Sequence, residues 1–167
     1  MIKILFVCLG NICRSSAAEY IMRDLLKKEG LSDKVYVESK GTSSEELGNP
    51  MYPPMRRILE DKGIDCRFHR ARQIDRHDYD KFDIILGMDQ YNMRSLNRVF
   101  DDVNHKIKLL PLYGNLGCID DPWYTREFER AYEEIEVSCK GLLKELKEKM
   151  LWKKEYLICI SQLYLLL

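Results

Sequence analysis

The stretch IKILFVCLGNICRS, residues 2–15, decides the fold and predicts where the chemistry lies. Residues 2–7 are apolar and rich in β-branched side chains, which is typical of a strand buried on both faces of a parallel sheet. A helix is predicted after a short loop, because apolar residues then recur every three or four positions up to Gly30. These residues are Ala18, Ile21, Met22, Leu25 and Leu26. The chain therefore opens with a strand, which we expect to be central, a loop and a helix.

Strands and helices alternate along the rest of the chain. Hydrophobic patterns predict further strands at 35–39, 82–88 and 107–110. They predict helices at 54–62, at 90–98 and, with a long amphipathic face, at 128–146. This order indicates an α/β fold, a doubly wound three-layer sandwich with ligands at the carboxyl ends of the strands. We expect a central four-stranded parallel sheet of strand order 2-1-3-4, with a phosphate-binding loop after strand 1.

Length and charge limit the classes of function. The 167 residues are enough for one domain, which we place at 1–150. Because basic and acidic residues number 27 each, no overall field attracts nucleic acid or an anionic membrane surface. Residues 151–167 form an apolar tail of unknown role, and its most apolar part is shorter than the roughly 20 residues of a membrane span. A docked segment, a self-association surface and an accident of the reading frame all remain open.

The cysteines indicate free thiols in the cytoplasm. Six are present, without a CxxC pair, and the first residues do not look like a secretory signal. Cys8, Cys13 and His69 could meet around a zinc ion, but no paired ligand spacing supports such a site. We therefore expect no metal and no other cofactor.

The loop between the first strand and the first helix is suited to bind a phosphate group. Backbone N–H groups converge at such a loop, the following helix adds partial positive charge, and Gly10 allows close approach. In this field Cys8 is stabilised as a thiolate nucleophile. Arg14 can hold two phosphate oxygens at once, and the Ser15 hydroxyl can donate to the sulfur. The predicted phosphate-binding residues are Leu9, Gly10, Asn11, Ile12, Cys13, Arg14 and Ser15.

The stretch IDDPWY, residues 119–124, is the candidate source of a general acid. Cleavage of an aryl phosphate requires a proton for the departing oxygen, and a carboxyl group on a proline-stiffened loop can supply it. The neighbouring Trp123 and Tyr124 can form a wall for a phenyl ring. Taken alone, the stretch fits an ordinary Asp-Pro turn beside core aromatics better than a catalytic loop.

The segment VCLGNICRS, residues 7–15, resembles the low-molecular-weight protein tyrosine phosphatases, and the resemblance extends over roughly residues 1–148. It implies metal-independent hydrolysis of phosphotyrosine and other aryl phosphate monoesters through a phosphocysteine on Cys8. It further implies that Arg14 binds the phosphoryl group and that Asp121 acts as the general acid. The expected substrate is a phosphotyrosine-containing protein or a small aryl phosphate, and the product is inorganic phosphate.

The same resemblance assigns supporting residues. Asn11, Ser39 and His69 would form a hydrogen-bonded set that holds the loop, with Asp89 as a further support close to it. Cys13 occupies the position of a second loop thiol that can form a reversible disulfide with Cys8. A simple packing role for Cys13 remains an equal alternative.

Departures from the family pattern concern the substrate wall. Glu45 and Glu46 stand in the loop where some relatives have an aromatic residue, and the sequence around Tyr52 also differs. The wall is therefore predicted to consist of Trp123, Tyr124 and Tyr52 with an acidic rim. We expect this rim to select against acidic phosphopeptides.

Two other functions compete with this interpretation. Arsenate reductases of the same fold also use a first-loop cysteine and an arginine, but they need a further pair of resolving cysteines, and residues 75–101 contain no cysteine. A non-catalytic phosphate-binding module would keep the loop but would have no use for Asp121.

Overall fold

The computed structural model describes residues 1–164 of the chain, and it describes side chains for residues 1–151. Four strands alternate with helices, as the sequence predicts. The strands are β1 Ile2–Cys8, β2 Val35–Gly41, β3 Ile84–Gly87 and β4 Ile107–Leu109. The helices are α1 Arg14–Lys28, α2 Pro53–Asp61, α3 Asp78–Lys81, α4 Gln90–Val99, α5 Pro122–Thr125 and α6 Phe128–Tyr164, with a 3-10 helix at Leu110–Gly114.

The sheet is parallel and has the order β2-β1-β3-β4, which confirms the predicted topology. β1 pairs with β2 over its whole length and with β3 from Ile4 to Val7. Since side chains alternate between the faces of a strand, β1 contributes to a core on each side. Its residues 4–7 are fully buried, as expected for a central strand.

Helices cover both faces of the sheet. Ile4 and Phe6 of β1 belong to one core with residues of α1, α2 and α6, whereas Leu5 and Val7 belong to a second core with residues around α3 and α4. The three layers of helix, sheet and helix are therefore those predicted. The carboxyl ends of β1 and β3 open toward one edge of the sheet, where the loop of residues 9–13 lies.

The structure corrects some element boundaries. The third strand begins at Ile84 rather than at 82, because Phe82 follows directly after α3 and packs into the second core. Helices α3 and α5 are only four residues long, too short to show helical periodicity in the sequence.

The last helix is longer than the predicted 128–146 and continues to Tyr164. Its backbone passes residue 150 without a break, so the division into a domain and a tail stays a prediction. The predicted docking or self-association of the tail concerns side chains outside the described residues. Within residues 1–164, no helix is both long and apolar enough to cross a membrane.

Candidate active site

The loop after β1 is held by a network centred on Asn11. Asn11 is completely buried and adopts a left-handed backbone conformation with φ 59°, which is costly for a residue with a side chain. Its side-chain Nδ2 donates to Ser15 Oγ (3.0 Å) and to Ser39 Oγ (2.8 Å). Its Oδ1 accepts from the Arg72 backbone N–H (2.9 Å), and its carbonyl oxygen is 2.7 Å from Nε2 of His69. These bonds compensate the strain and fix the path of the loop.

His69 acts on the loop as a neutral hydrogen-bond donor. Burial lowers the pKa of His69, and the opposing effect of the Asn11 carbonyl is smaller. Since the neutral ring then dominates near pH 7, Nε2 carries the proton toward Asn11, and the tautomer follows from this bond.

Cys8 lies at the end of β1 with its sulfur facing the loop. The residue is 4% exposed, and its Sγ is 2.9 Å from Ser15 Oγ and accepts from the Asn11 N–H at 3.3 Å. Ser15 Oγ accepts from Asn11, and its own proton can go to the sulfur or to the Lys40 carbonyl oxygen at 3.4 Å. A backbone N–H and a hydroxyl group thus face Sγ.

Gly41, the last residue of β2, permits the close approach of this loop. It pairs with Cys8 in the parallel register. A Cβ at this position would lie 2.7 Å from the Leu9 carbonyl oxygen and 3.2 Å from the Asn11 nitrogen. A larger residue here would push the loop out of place.

Arg14 joins the loop to two other parts of the sheet edge. It is 2% exposed; Nη1 donates to Asp89 Oδ2 (2.5 Å) and to the Ile119 carbonyl oxygen (3.0 Å), and Nη2 donates to Asp121 Oδ2 (2.6 Å). Burial lowers the pKa of Arg14, but the negative charges of Cys8, Asp121 and Asp89 outweigh this effect and raise it. The guanidinium therefore stays charged and oriented.

Asp121, rather than Asp120, is the carboxyl group beside Arg14. Its Oδ1 accepts from the Trp123 N–H (3.0 Å) and so caps α5, whose first residue is Pro122. Asp120 instead accepts from the Cys118 thiol at 3.3 Å. The structure thus places beside Arg14 the residue that the family resemblance implies as the general acid.

A cavity of about 200 Å³ lies over the loop. Tyr52 forms its aromatic wall together with Trp123 (ring centroids 5.2 Å apart) and Phe128 (5.6 Å). The structure brings every predicted wall residue to this cavity, and it adds Phe128, which the sequence places only among the apolar positions of the last helix. The lining residues are Cys8, Leu9, Gly10, Ile12, Cys13, Arg14, Glu45, Glu46, Tyr52, Asp121, Trp123, Tyr124 and Phe128.

Comparison with known proteins agrees with this geometry. The family model described as low molecular weight phosphotyrosine protein phosphatase matches residues 3–152 of the chain. The chain belongs to this phosphatase family. Its family membership confirms the resemblance drawn from residues 7–15.

Relatives of this phosphatase are similar over nearly its full length. The low molecular weight protein-tyrosine-phosphatase YfkJ of Bacillus subtilis is 41% identical over 156 residues, covering 90% of this chain and 100% of the relative. Its crystal structure superposes with a TM-score of 0.86, covering 89% of this chain and 96% of that one. The low molecular weight phosphotyrosine protein phosphatase of Rattus norvegicus is 41% identical over 150 residues, covering 86% of this chain and 94% of the relative. Wzb of Vibrio vulnificus in complex with benzylphosphonate superposes with a TM-score of 0.77 at 26% identity, covering 86% of this chain and 98% of that one.

The phosphatase contains one supporting residue that the sequence did not reveal. Glu19 on α1 is buried and accepts from Ser39 Oγ (2.5 Å), while Arg23 pairs with its other oxygen at 2.5 Å. Burial raises the pKa of Glu19, and Arg23 and Ser39 act in the opposite direction. In the sequence Glu19 looks like one more charged residue of an amphipathic helix, and only its burial identifies it.

Cys13 lies in the same cavity as Cys8, and both thiols are free. Desolvation raises the pKa of Cys13 far above its ordinary value, and the neighbouring Cys8 and Asp121 raise it further, with Arg14 opposing them. Cys13 is thus held as a neutral thiol.

Proposed function

We propose that this phosphatase hydrolyses phosphotyrosine in proteins, as well as small aryl phosphates, by double displacement through Cys8. The observation that carries the proposal is the convergence of Cys8, Arg14 and Asp121 on one cavity at the carboxyl end of β1. No metal ion takes part in the proposed mechanism. The free thiol it requires suits a reducing compartment, and we propose a cytoplasmic location.

Binding of the phosphoryl group uses the loop amides and Arg14. Asp89 and the Ile119 carbonyl hold Nη1, so the guanidinium plane keeps its orientation toward the cavity. The phosphoryl oxygens then compete with Asp121 for Nη2 and form charge-assisted hydrogen bonds. This exchange frees the Asp121 carboxylate from Arg14, and it takes up a proton from solvent before it acts on the leaving oxygen.

In the first step, the Cys8 thiolate attacks phosphorus in line with the phenolic oxygen. The S–P bond forms, the P–O bond to the phenol breaks, and Asp121 gives its proton to the departing oxygen. The loop amides and Arg14 stabilise the charge on the equatorial oxygens during the transfer.

In the second step, the Asp121 carboxylate accepts a proton from water as the water oxygen attacks the phosphocysteine. The S–P bond breaks, inorganic phosphate forms, and Cys8 leaves as a thiolate. The hydrogen bonds from Ser15 Oγ and the Asn11 N–H stabilise this leaving sulfur.

The aromatic wall of Tyr52, Trp123 and Phe128 supports an aryl ring as the group next to the phosphate. The complex of the similar protein Wzb with benzylphosphonate points in the same direction. Glu45 and Glu46 line the cavity, so we propose that they disfavour acidic residues near them. Exchange of both for glutamine should reduce the preference for neutral or basic over acidic phosphopeptides, and an unchanged ranking would refute this role.

The mechanism is tested by hydrolysis of an aryl phosphate at about pH 5 to 6 in the presence of EDTA. We expect Cys8→Ser to abolish turnover and Asp121→Asn to reduce kcat by about 10²- to 10⁴-fold, the usual range for a lost general acid. The matched Asp120→Asn variant should retain most of the activity, because Asp120 does not contact Arg14. A parent protein that binds phosphate without turnover would indicate a binding module, and thiol-dependent reduction of arsenate would indicate a reductase.

Two regulatory properties remain proposals. A reversible Cys8–Cys13 disulfide is supported by the presence of both thiols in one cavity. Recovery of activity when a reductant is added after peroxide treatment would test it. Self-association is supported by the apolar sequence of residues 156–167. Size-exclusion chromatography with and without these residues would test the second property.

A further inference from the structure

A second cavity adjoins the active site along helix α4, and we call it the α4 groove. It has a volume of about 1140 Å³ and lies between the face of α4 that carries Tyr91, Arg94 and Arg98 and the segment of residues 118–125. It shares Leu9, Arg14, Asp121 and Tyr124 with the cavity over the loop. A peptide bound at the active site can therefore continue directly into the groove.

Two positive charges on the α4 side of the groove have no ionic partner in the described part of the chain. Arg94 and Arg98 are exposed, and neither forms an ion pair within the part of the chain whose side chains are described. They stand four residues apart on one helix face, where two like charges repel each other. Arg94 also stacks on the Tyr91 ring, with Cζ 4.5 Å from the ring centroid, and Tyr91 is itself 74% exposed. Arg98 lies in the last turn of α4, where a positive charge suits the helix dipole, and an anionic ligand would relieve the repulsion between the two arginines.

Two of the three carboxyl groups that line the groove are ion-paired, and the third has no ionic partner among residues 1–151. Asp89 and Asp121 both pair with Arg14, and Asp120 accepts a hydrogen bond from the Cys118 thiol. The two guanidinium groups of α4 that have no ionic partner in this same range thus stand opposite one such carboxylate, Asp120, so these three charges together leave the groove positive.

The position of the two arginines matches the spacing of a peptide chain. Helix α4 begins directly after Asp89, which contacts Arg14. At a rise of about 1.5 Å per residue, Arg94 and Arg98 lie about 8 Å and about 14 Å farther along the helix axis. An extended peptide advances about 3.3 Å per residue, so these distances correspond to about two to four residues.

We propose that the α4 groove binds acidic side chains of the substrate peptide, two to four residues from the phosphotyrosine, through Arg94 and Arg98. This inference rests on the proposed hydrolysis of phosphotyrosine in proteins. Glu45 and Glu46 line the first cavity but not the groove, so acidic residues are accepted on one arm of the peptide and disfavoured on the other. The phosphatase would then distinguish acidic residues before the phosphotyrosine from acidic residues after it.

The test compares three phosphotyrosine peptides that carry aspartate two to four residues before the phosphotyrosine, aspartate two to four residues after it, or asparagine at all of these positions. The quantity measured is the ratio of kcat/KM for each acidic peptide to that for the neutral one. We expect one acidic peptide to be preferred by about 3- to 10-fold at low ionic strength, a size typical of two exposed charge pairs. The preference should appear in KM and should decline as salt is added.

The double variant Arg94→Gln/Arg98→Gln should lose this preference. The matched control is Arg57→Gln/Arg76→Gln, which removes the same charge from two exposed arginines outside both cavities and should keep the preference. A parent without preference for either acidic peptide, or a groove variant that retains it, would overturn the proposal. The proposal would also be overturned if kcat/KM of the groove variant fell equally for all three peptides and for a small aryl phosphate. Such a result indicates a general disturbance of the loop.

Failure of the proposed function has a different signature. In that case the parent hydrolyses none of the peptides. Binding of the same peptides to the Cys8→Ser variant then tests whether the groove binds acidic side chains. Equal affinity for acidic and neutral peptides would overturn the inference, whereas tighter binding of one acidic peptide that Arg94→Gln/Arg98→Gln removes would support it.

Discussion

Asn11 illustrates how single residues hold this active site. Its left-handed conformation is stabilised by hydrogen bonds to two separate segments of the chain, one containing Ser39 and the other containing His69 and Arg72. The family resemblance singled out Asn11, Ser39 and His69, and the structure brings them into contact. The backbone N–H of Arg72 could not have been found, because any residue type can supply it.

His69 should make the protein less stable in mild acid. Burial lowers its pKa below the ordinary 6.5, so below about pH 6.5 the unfolded chain binds a proton that the folded chain still excludes. The contribution of His69 to stability is therefore complete above about pH 6.5, and it is lost as the pH falls toward the lowered pKa of His69 in the folded protein. We expect the decrease in Tm between about pH 7.5 and about pH 5.5 to be larger for the parent than for His69→Gln, in which the side chain does not titrate.

The comparison has its own control in His77, an exposed histidine. His77→Gln should show the same pH dependence as the parent. If His69→Gln also follows the parent, then His69 is not the group that couples stability to pH.

Among the elements, the end of β2 determines where the catalytic loop can lie. Gly41→Ala would place a Cβ 2.7 Å from the Leu9 carbonyl oxygen, so the loop must shift. Because a displacement of about 1 Å at reacting groups can cost about 10²-fold, we expect a fall of this order in kcat/KM. Kinetics with a small aryl phosphate would measure it.

Gly117→Ala is the matched substitution for this prediction, since a Cβ there meets no atom within 4 Å. It should leave kcat/KM close to that of the parent. Equal activities of the two variants would show that the loop adjusts without loss.

Predictability from sequence differs between the elements. β1 and α1 are readable because a buried parallel strand and an amphipathic helix each repeat one pattern over several residues. α5 has only four residues, and its start is set by Asp121 as a cap and by Pro122. The sequence indicates the chemistry of these residues, but a helix of one turn shows no periodicity that would predict its conformation. Phe128 was missed as a wall residue because an apolar residue at the start of a helix is equally compatible with a core position.

At the scale of the whole molecule, Arg14 connects the carboxyl ends of the sheet. It bonds to Asp89 after β3, to the Ile119 carbonyl and to Asp121 before α5. The sequence predicts that the ends of parallel strands meet at one edge, but the pairing of a particular arginine with two distant carboxylates depends on the assembled fold.

Inorganic phosphate should stabilise the folded protein through this site. A ligand at ten times its Kd contributes about 1.4 kcal/mol, which for a chain of this length corresponds to an increase in Tm of about 3 to 6 °C. We expect this increase in the parent and in Arg57→Gln, but not in Arg14→Lys, which lacks the planar fork. Thermal unfolding in phosphate and in chloride of equal ionic strength measures it, and an equal shift in Arg14→Lys would exclude Arg14 as the main ligand.

The fixed path of the loop around Asn11 has a consequence for selectivity among anions. The proposed loop donors, held in place by buried bonds, would recognise tetrahedral shape and negative charge whether or not an ester is attached. Sulfate, vanadate and free phosphate would then meet the same donors as a substrate does. Discrimination against such dissolved ions must therefore come from the aromatic surfaces outside the loop, and the background of free phosphate in a cell becomes a constant competitor that every substrate has to displace.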